Sequence, residues 1–346
     1  MINKIVLLVF LSILSLNLFA QNEYILPSGL NVSNQLKYSF DNDKKIEIFE
    51  NWLNVNYRYG IFSSGIRFES FQPNDPNPSI NRNKKISSDI AFKYISIELG
   101  DKYEGLSFTA GNFYEMFGRG MILKSYENRD LRVDNNLSGL LVKGNYANFN
   151  ITALSGSAEN LDQKREDILH AVDIEYSFEN IGTVGASYAV NLPKDNSLAK
   201  TELMSVRIEP SIWNFDLYSE FGVKKNNDIK SSAFNNDESI AGKGFYTNLN
   251  FYYDNFSIAA EYKYYDNYTF SSSDNSIIYN TPPSVRKDYT YILLNRHPSS
   301  LDQNNETGFQ FDVNYVFDDR FELNANYSQT KSLTNKSYYQ RANSLN

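Results

Sequence analysis

The sequence predicts an all-β protein, an antiparallel up-and-down transmembrane β-barrel of about 15–16 strands. Three observations carry that prediction. Apolar and polar residues alternate with a period of two along most of the chain after residue 28. Short and long connections between the alternating runs follow one another strictly. The composition is rich in strand-forming aromatics, with 26 Tyr and 24 Phe in 346 residues.

From the amino end, residues 1–20 read as a signal peptide. Lys4 supplies the basic start, Ile5 to Phe19 the apolar core, and Ala20 precedes the expected cut before Gln21. That core is too short to be a lone spanning helix. Residues 21–346 are expected to form one outer-membrane barrel domain. In "LNVNYRY", Leu53, Val55, Tyr57 and Tyr59 share one face, and Asn54, Asn56 and Arg58 the other. "VDIEYSF" sets Val172, Ile174, Tyr176 and Phe178 against Asp173, Glu175 and Ser177. "FQFDVNYVF" and "FELNANY" repeat the pattern with Phe309, Phe311, Val313, Tyr315 and Phe317, then Phe321, Leu323, Ala325 and Tyr327. Each run is roughly nine to eleven residues, what a tilted strand needs to cross a bilayer.

Tight turns are expected near Gly60, Gly100 to Gly105, Asn145 to Ala147, Asn180 to Gly182, Pro210, Asp254 to Asn255 and Asp318 to Asp319. Long loops are expected over 41–50, 72–87, 114–137, 157–170, 192–200, 223–243 and 267–306. Strict alternation puts every long loop at one end of the sheet. A secreted β-sandwich mixes hairpins with crossovers and does not sort its loops this way. An outer-membrane barrel does, and closure leaves no unpaired backbone edge in hydrocarbon. The apolar face then meets outer-membrane lipid and the Asn, Asp and Glu face lines a polar lumen.

About fifteen strands can be counted, the last near Asp319 to Gln329, whereas single-chain barrels of this kind are usually even-numbered. The tail "NKSYYQRANSLN" is polar and lacks a terminal aromatic. The expectation is a barrel that lacks its C-terminal strands.

Several chemistries fit poorly. The formal net charge of -8 disfavours nucleic acid as a partner. With no Cys and two His, His170 and His297, there is no disulfide, thiolate or zinc-ligand spacing. Ser155 and Ser157 stand on the strand before His170, but no Gly-x-Ser-x-Gly elbow surrounds them. "FGRGM" is not followed by the apolar helix of a phosphate loop, so its glycines read as sites of positive φ or a bulge. The Asx clusters at Asp41 and Asp302 lack the spacing of a calcium loop. No enzyme activity and no cofactor is expected.

The stretch "GNFYEMFGRGMILKSYENRDLRVDNNLSG", Gly111 to Gly139, stands apart. Gly111, Asn112, Phe113, Tyr114, Phe117, Gly118 and Gly120, then Arg129, Asp134, Asn135, Leu137 and Gly139, resemble a segment of an uncharacterised outer-membrane β-barrel family of Bacteroidetes-type bacteria. "NWLNVNYRYGIFSSGIRFESFQP", Asn51 to Pro73, is similar to that family's first strands. The resemblance implies fold and outer-membrane localisation, and a truncated member; it implies no activity.

Tyr114 to Asn136 is the third outer loop on this count, and it carries Glu115, Arg119, Lys124, Glu127, Arg129, Asp130, Arg132 and Asp134. Met121 to Tyr126 suits packing against an inner wall. One reading is an inert cap; the other folds the loop inward, where its charges line a lumen constriction. The functional expectation is a porin-like channel for small polar solutes. The alternative is a non-transporting surface anchor or a partner of other envelope proteins.

Overall fold

The computed structural model describes residues 28–43, 45–73, 88–101, 104–129, 133–160, 164–195, 198, 200–226, 242–285, 302–318 and 321–333. The expected signal peptide, His297 and the tail after 333 lie outside the described residues. In chain order the strands are β1 (Leu30–Asp41), β2 (Ile46–Tyr59), β3 (Phe62–Pro73), β4 (Ser88–Gly100) and β5 (Gly105–Phe113). Four two-residue pieces follow: β6 (Met116–Phe117), β7 (Leu123–Lys124), β8 (Glu127–Asn128) and β9 (Val133–Asp134). The rest are β10 (Leu137–Tyr146), β11 (Phe149–Ala158), β12 (Ile168–Phe178), β13 (Gly182–Leu192), β14 (Thr201–Ile212), β15 (Phe215–Asn226), β16 (Gly242–Tyr253), β17 (Phe256–Asp266), β18 (Asn305–Asp318) and β19 (Phe321–Ser332).

β1–β5 and β10–β19 make a 15-stranded sheet in sequence order, up-and-down, while β6–β7 and β8–β9 are separate two-stranded ladders. Backbone packing divides the chain into two compact units, residues 1–74 with 86–95, and residues 75–85 with 96–346.

In the first unit β1 pairs with β2 from Leu30↔Tyr57 to Asp41↔Ile46. Both strands therefore run further towards their connection than the expected 41–50 loop allows. The connection shrinks to 42–45: Ile46 and Ile48, on the same face as Asn54 and Asn56, pair with Asp41 and Ser39, and the Tyr38 hydroxyl donates to Glu47 across the pair at 2.7 Å. Arg67 donates to Asn54 at 3.0 Å and lies 5.3 Å from the Phe92 ring centroid. Tyr94 packs over Gly65, where a Cβ would stand 2.4 Å from its ring.

In the second unit the hairpin turns hold residues at positive φ, three of them the Asn or Asp that tolerate it best. Ala147 and Asn148 have φ of 45° and 70°, Asn180 of 60° and Asp254 of 51°. Pro210 is not a turn. It lies inside β14 and pairs with Gly182 of β13, and the turn falls later, at Trp213. Proline has no N–H to give, and the β14–β15 ladder passes from Ile208↔Ser219 to Ser211↔Asp216 without a pair at Pro210. The strand continues because its other neighbour holds it.

One face of these strands is apolar and exposed: Val206 is 60% and Ile208 47% accessible, against 2% for Arg207 between them. Exposed aromatics gather at the short-turn end, with Tyr146, Trp213, Tyr253, Phe317 and Phe321 all prominent. An apolar band edged by aromatic rings is the pattern of a strand surface in lipid.

Candidate functional site

The polar face of the second unit is covered by chain, and glycines make room for it. A Cβ on Gly222 would stand 1.8 Å from the Tyr268 hydroxyl, and one on Gly244 2.7 Å from the same ring. These two glycines are register partners on β15 and β16, so together they form a cradle for one tyrosine. Tyr268 is fully buried there, and burial pushes its phenol well above the ordinary value.

Tyr268 belongs to the connection between β17 and β18. Tyr279 N donates to Phe270 O at 2.8 Å and Ser272 N to Ile277 O at 2.9 Å, so residues 270–279 double back on themselves. The tip is tied to the wall. Ser273 donates through its N–H and its hydroxyl to the buried Asp167 at 2.6 and 2.8 Å, and Asn191 of β13 donates to the same carboxylate at 2.7 Å. Burial would raise the nearby Asp274, but donors from Ser272, Ser276 and Asn160 hold it below the ordinary carboxylate value.

The segment 114–136 lies against this connection. Lys124 N donates to Tyr279 O at 2.8 Å and Thr281 N to Gly120 O at 3.0 Å. Asn280, fully buried, donates to Met121 O at 3.1 Å and Tyr268 O at 3.0 Å, and accepts from Phe270 N at 2.9 Å. Met121, Ile122 and Leu123 are wholly inaccessible, in one cluster with Phe117, Leu141, Leu154, Leu169, Leu203, Tyr268, Phe270 and Tyr279. Apolar burial holds the two segments to the face, and Asn280 satisfies the backbone groups they enclose.

The bend at "FGRGM" has Gly118 at φ 53° and Gly120 at φ 81°. A Cβ on Gly118 would stand 2.7 Å from both the Tyr218 hydroxyl and Glu220 Oε2. The bend thus lowers Arg119 onto β15 and β16. Arg119 N donates to the Tyr218 hydroxyl at 3.1 Å and Nη1 to the Tyr246 hydroxyl at 3.3 Å. Its guanidinium carbon is 4.2 Å from the Tyr218 ring centroid and 5.7 Å from that of Tyr246, within cation–π range. Behind the rings, Tyr246 donates to Glu261 at 2.9 Å and Tyr218 to Glu220, which also accepts from Ser205 at 2.6 Å.

Next to this lies a second cation. The fully buried Arg207 side chain donates to both oxygens of Asp173 at 2.8 Å, to Ser187 at 2.8 Å and to Glu175 at 2.5 Å. Gly185 leaves the space, since a Cβ there would lie 2.7 Å from the guanidinium carbon. A planar fork of donors against a carboxylate is the arrangement that offsets the desolvation of a buried charge. Lys263 and Glu306 form a further buried pair at 2.6 Å.

The expected loop residues part company. Arg119 reaches the Tyr218–Tyr246 pair. Glu115 meets Lys143 of β10 at 2.6 Å, and Lys124 stands 5.5 Å from the Tyr126 ring. Glu127 and Arg129 pair with each other at 3.0 Å, and Asp134 accepts from the Tyr114 hydroxyl and from Asn136 N, both at 3.0 Å. Asp130 and Arg132 lie outside the described residues. Sequence reasoning did not single out Arg207, Glu220, Glu261 or Tyr218. Their signal is a charge or ring in mid-strand on the polar face, which looks the same whether the face is wet or covered. Ser155 of β11 and Val190 of β13 are the register partners of His170, so one hydroxyl residue and no carboxylate flanks it along the register.

Residues 1–345 match the model of a family of unknown function, DUF6029. No curated protein matches. Acinetobacter baumannii OccAB2 is similar in structure, with 12% identity and a TM-score of 0.50, covering 89% of this chain and 82% of that one. A porin refined at 1.8 Å is 10% identical, with a TM-score of 0.40 and coverage of 87% and 94%. The Pseudomonas aeruginosa outer membrane protein opdK is 9% identical, with a TM-score of 0.46 and coverage of 85% and 78%. At such identity the likeness is one of fold: the sheet is of the outer-membrane β-barrel class.

Proposed function

The chain belongs to this family of unknown function, and we propose that it is a porin-like outer-membrane channel for small polar solutes, narrowed by its third outer loop. One observation carries the reading: residues 117–123 of the loop lie on the polar face of the strands and deliver Arg119 onto Tyr218 and Tyr246. In a barrel that face is the inner one, and charges on an inward loop set which solutes pass. The apolar, aromatic-edged opposite face suits lipid, and the expected signal peptide suits export.

The test is conductance of the purified protein in a planar lipid bilayer. Wild type is expected to conduct, and Arg119→Ala to change conductance or ion selectivity. Unchanged current and selectivity through Arg119→Ala, Lys124→Ala, Arg129→Ala and Arg132→Ala would overturn the constriction.

A second reading, a non-transporting anchor or envelope partner, is favoured by the full burial of Met121, Ile122 and Leu123 beneath the paired loops. Such a seal suits a plug. A folded protein that carries no current and retains an envelope protein through mild detergent would support it.

A further inference from the structure

We infer that Tyr218, Tyr246, Glu220 and Glu261 form a recognition site for a guanidinium or compact organic ammonium ion, and that Arg119 is its tethered internal occupant. Two ring faces meet at an angle of 55° with centroids 6.0 Å apart, a corner sized for one small cation. Each hydroxyl donates to a carboxylate, Tyr218 to Glu220 and Tyr246 to Glu261. A phenol that donates to an anion carries a more electron-rich ring, which strengthens its pull on a cation. The carboxylates also favour positive charge from behind.

The observation that this corner binds a cation is that it already holds one. Arg119 sits 4.2 Å over the nearer ring and yet remains solvent-exposed, whereas both tyrosines are 3% accessible. An exposed arginine covering two buried rings is a ligand on a leash rather than part of a core. Arg207 is the contrast: its guanidinium is inaccessible and fixed by Asp173 and Glu175. The positive φ at Gly118 and Gly120 on either side of Arg119 gives the leash a bend that no bulkier residue would hold without strain. A loop-tethered group competes with free ligand at an effective concentration of order millimolar. Free guanidinium compounds would therefore bind weakly to the wild type and well once Arg119 is shortened.

The inference rests on the channel reading for one thing only, the route by which a solute reaches the corner. The experiment is calorimetric titration of the full chain in detergent micelles with methylguanidinium chloride, and with potassium chloride as the ionic control. Heat-modifiable gel mobility reports that each variant is folded. Arg119→Ala and Arg119→Gln are expected to bind methylguanidinium at least about tenfold more tightly than wild type. Arg119→Lys, which keeps a tethered cation, should stay near wild type, and Tyr218→Leu in the Arg119→Gln background should abolish the gain. Gln keeps most of the side-chain stem, so it stands in if the alanine variant does not fold. Equal binding by wild type, Arg119→Ala and Arg119→Gln would overturn the site, as would a gain that survives Tyr218→Leu. Bilayer conductance is read separately. Gained binding without current would sink the channel and spare the site; current without gained binding would do the reverse.

Discussion

Strands β14 and β19 share one alternating code. On the polar face β14 carries Leu203, Ser205 and Arg207, each 5% accessible or less. On the same face β19 carries Asn324, Ser328 and Thr330, all exposed. The outward residues match as well, Val206 and Ile208 on one strand, Leu323 and Tyr327 on the other, all exposed. What differs is what lies across from the polar face. The segments 117–124 and 267–285 cover β14 and its neighbours, and the polar face of β19 stays exposed. The difference teaches that a strand of a wide sheet does not bury its own polar face. Buried charges on it are permitted only where a folded-in loop excludes water and full pairing answers the exclusion.

The largest effect that would sharpen this comparison is at Arg207. Arg207→Met leaves the buried Asp173, with the half-buried Glu175 beside it, facing no cation, and the expected loss is about 3–5 kcal/mol in urea unfolding of the vesicle-inserted protein. A loss no greater than that of a surface substitution would break the comparison, because the covered face would then behave as a wet one. Next comes Gly222→Val, which drives side-chain atoms into the Tyr268 hydroxyl. The expected cost is about 1–3 kcal/mol, with faster protease cleavage within 267–285 as the specific sign that the loop has lifted. Unchanged cleavage would mean that the cradle does not hold the loop down. The smallest effect is on β19: Asn324→Ala, whose amide exchanges exposed hydrogen bonds with Glu322 and Asn314, should stay within about 0.5 kcal/mol. A cost like that of Arg207 would show that the face of β19 is covered too.

Much of this was legible before the structure. Val172, Ile174 and Tyr176 against Asp173 and Glu175 announce a strand with one apolar face, because side chains alternate by geometry whatever the neighbours are. The long connections over 157–170 and 192–200 fall at the structure's breaks between β11 and β12 and between β13 and β14. Pro210 misled, since a missing N–H signals a turn only if both ladders need that donor. The bend at Gly118 and Gly120 was also readable, positive φ being the use of glycine there.

The charges were not separable in the same way. Arg119, Lys124 and Arg129 look alike in the sequence, yet Arg119 is set on two tyrosines, Lys124 lies near Tyr126 and Arg129 pairs with Glu127. Gly222 and Gly244 read as weak points of their strands until Tyr268 fills the space they leave. By itself the sequence determined the strands, their two faces and the sorting of their connections, since these follow from local period and turn chemistry. Only the tertiary structure decided which loops turn onto the polar face and which charges they enclose. Those contacts join residues about a hundred or more positions apart, such as Gly118 with Glu220 and Met121 with Asn280, and no local pattern encodes them.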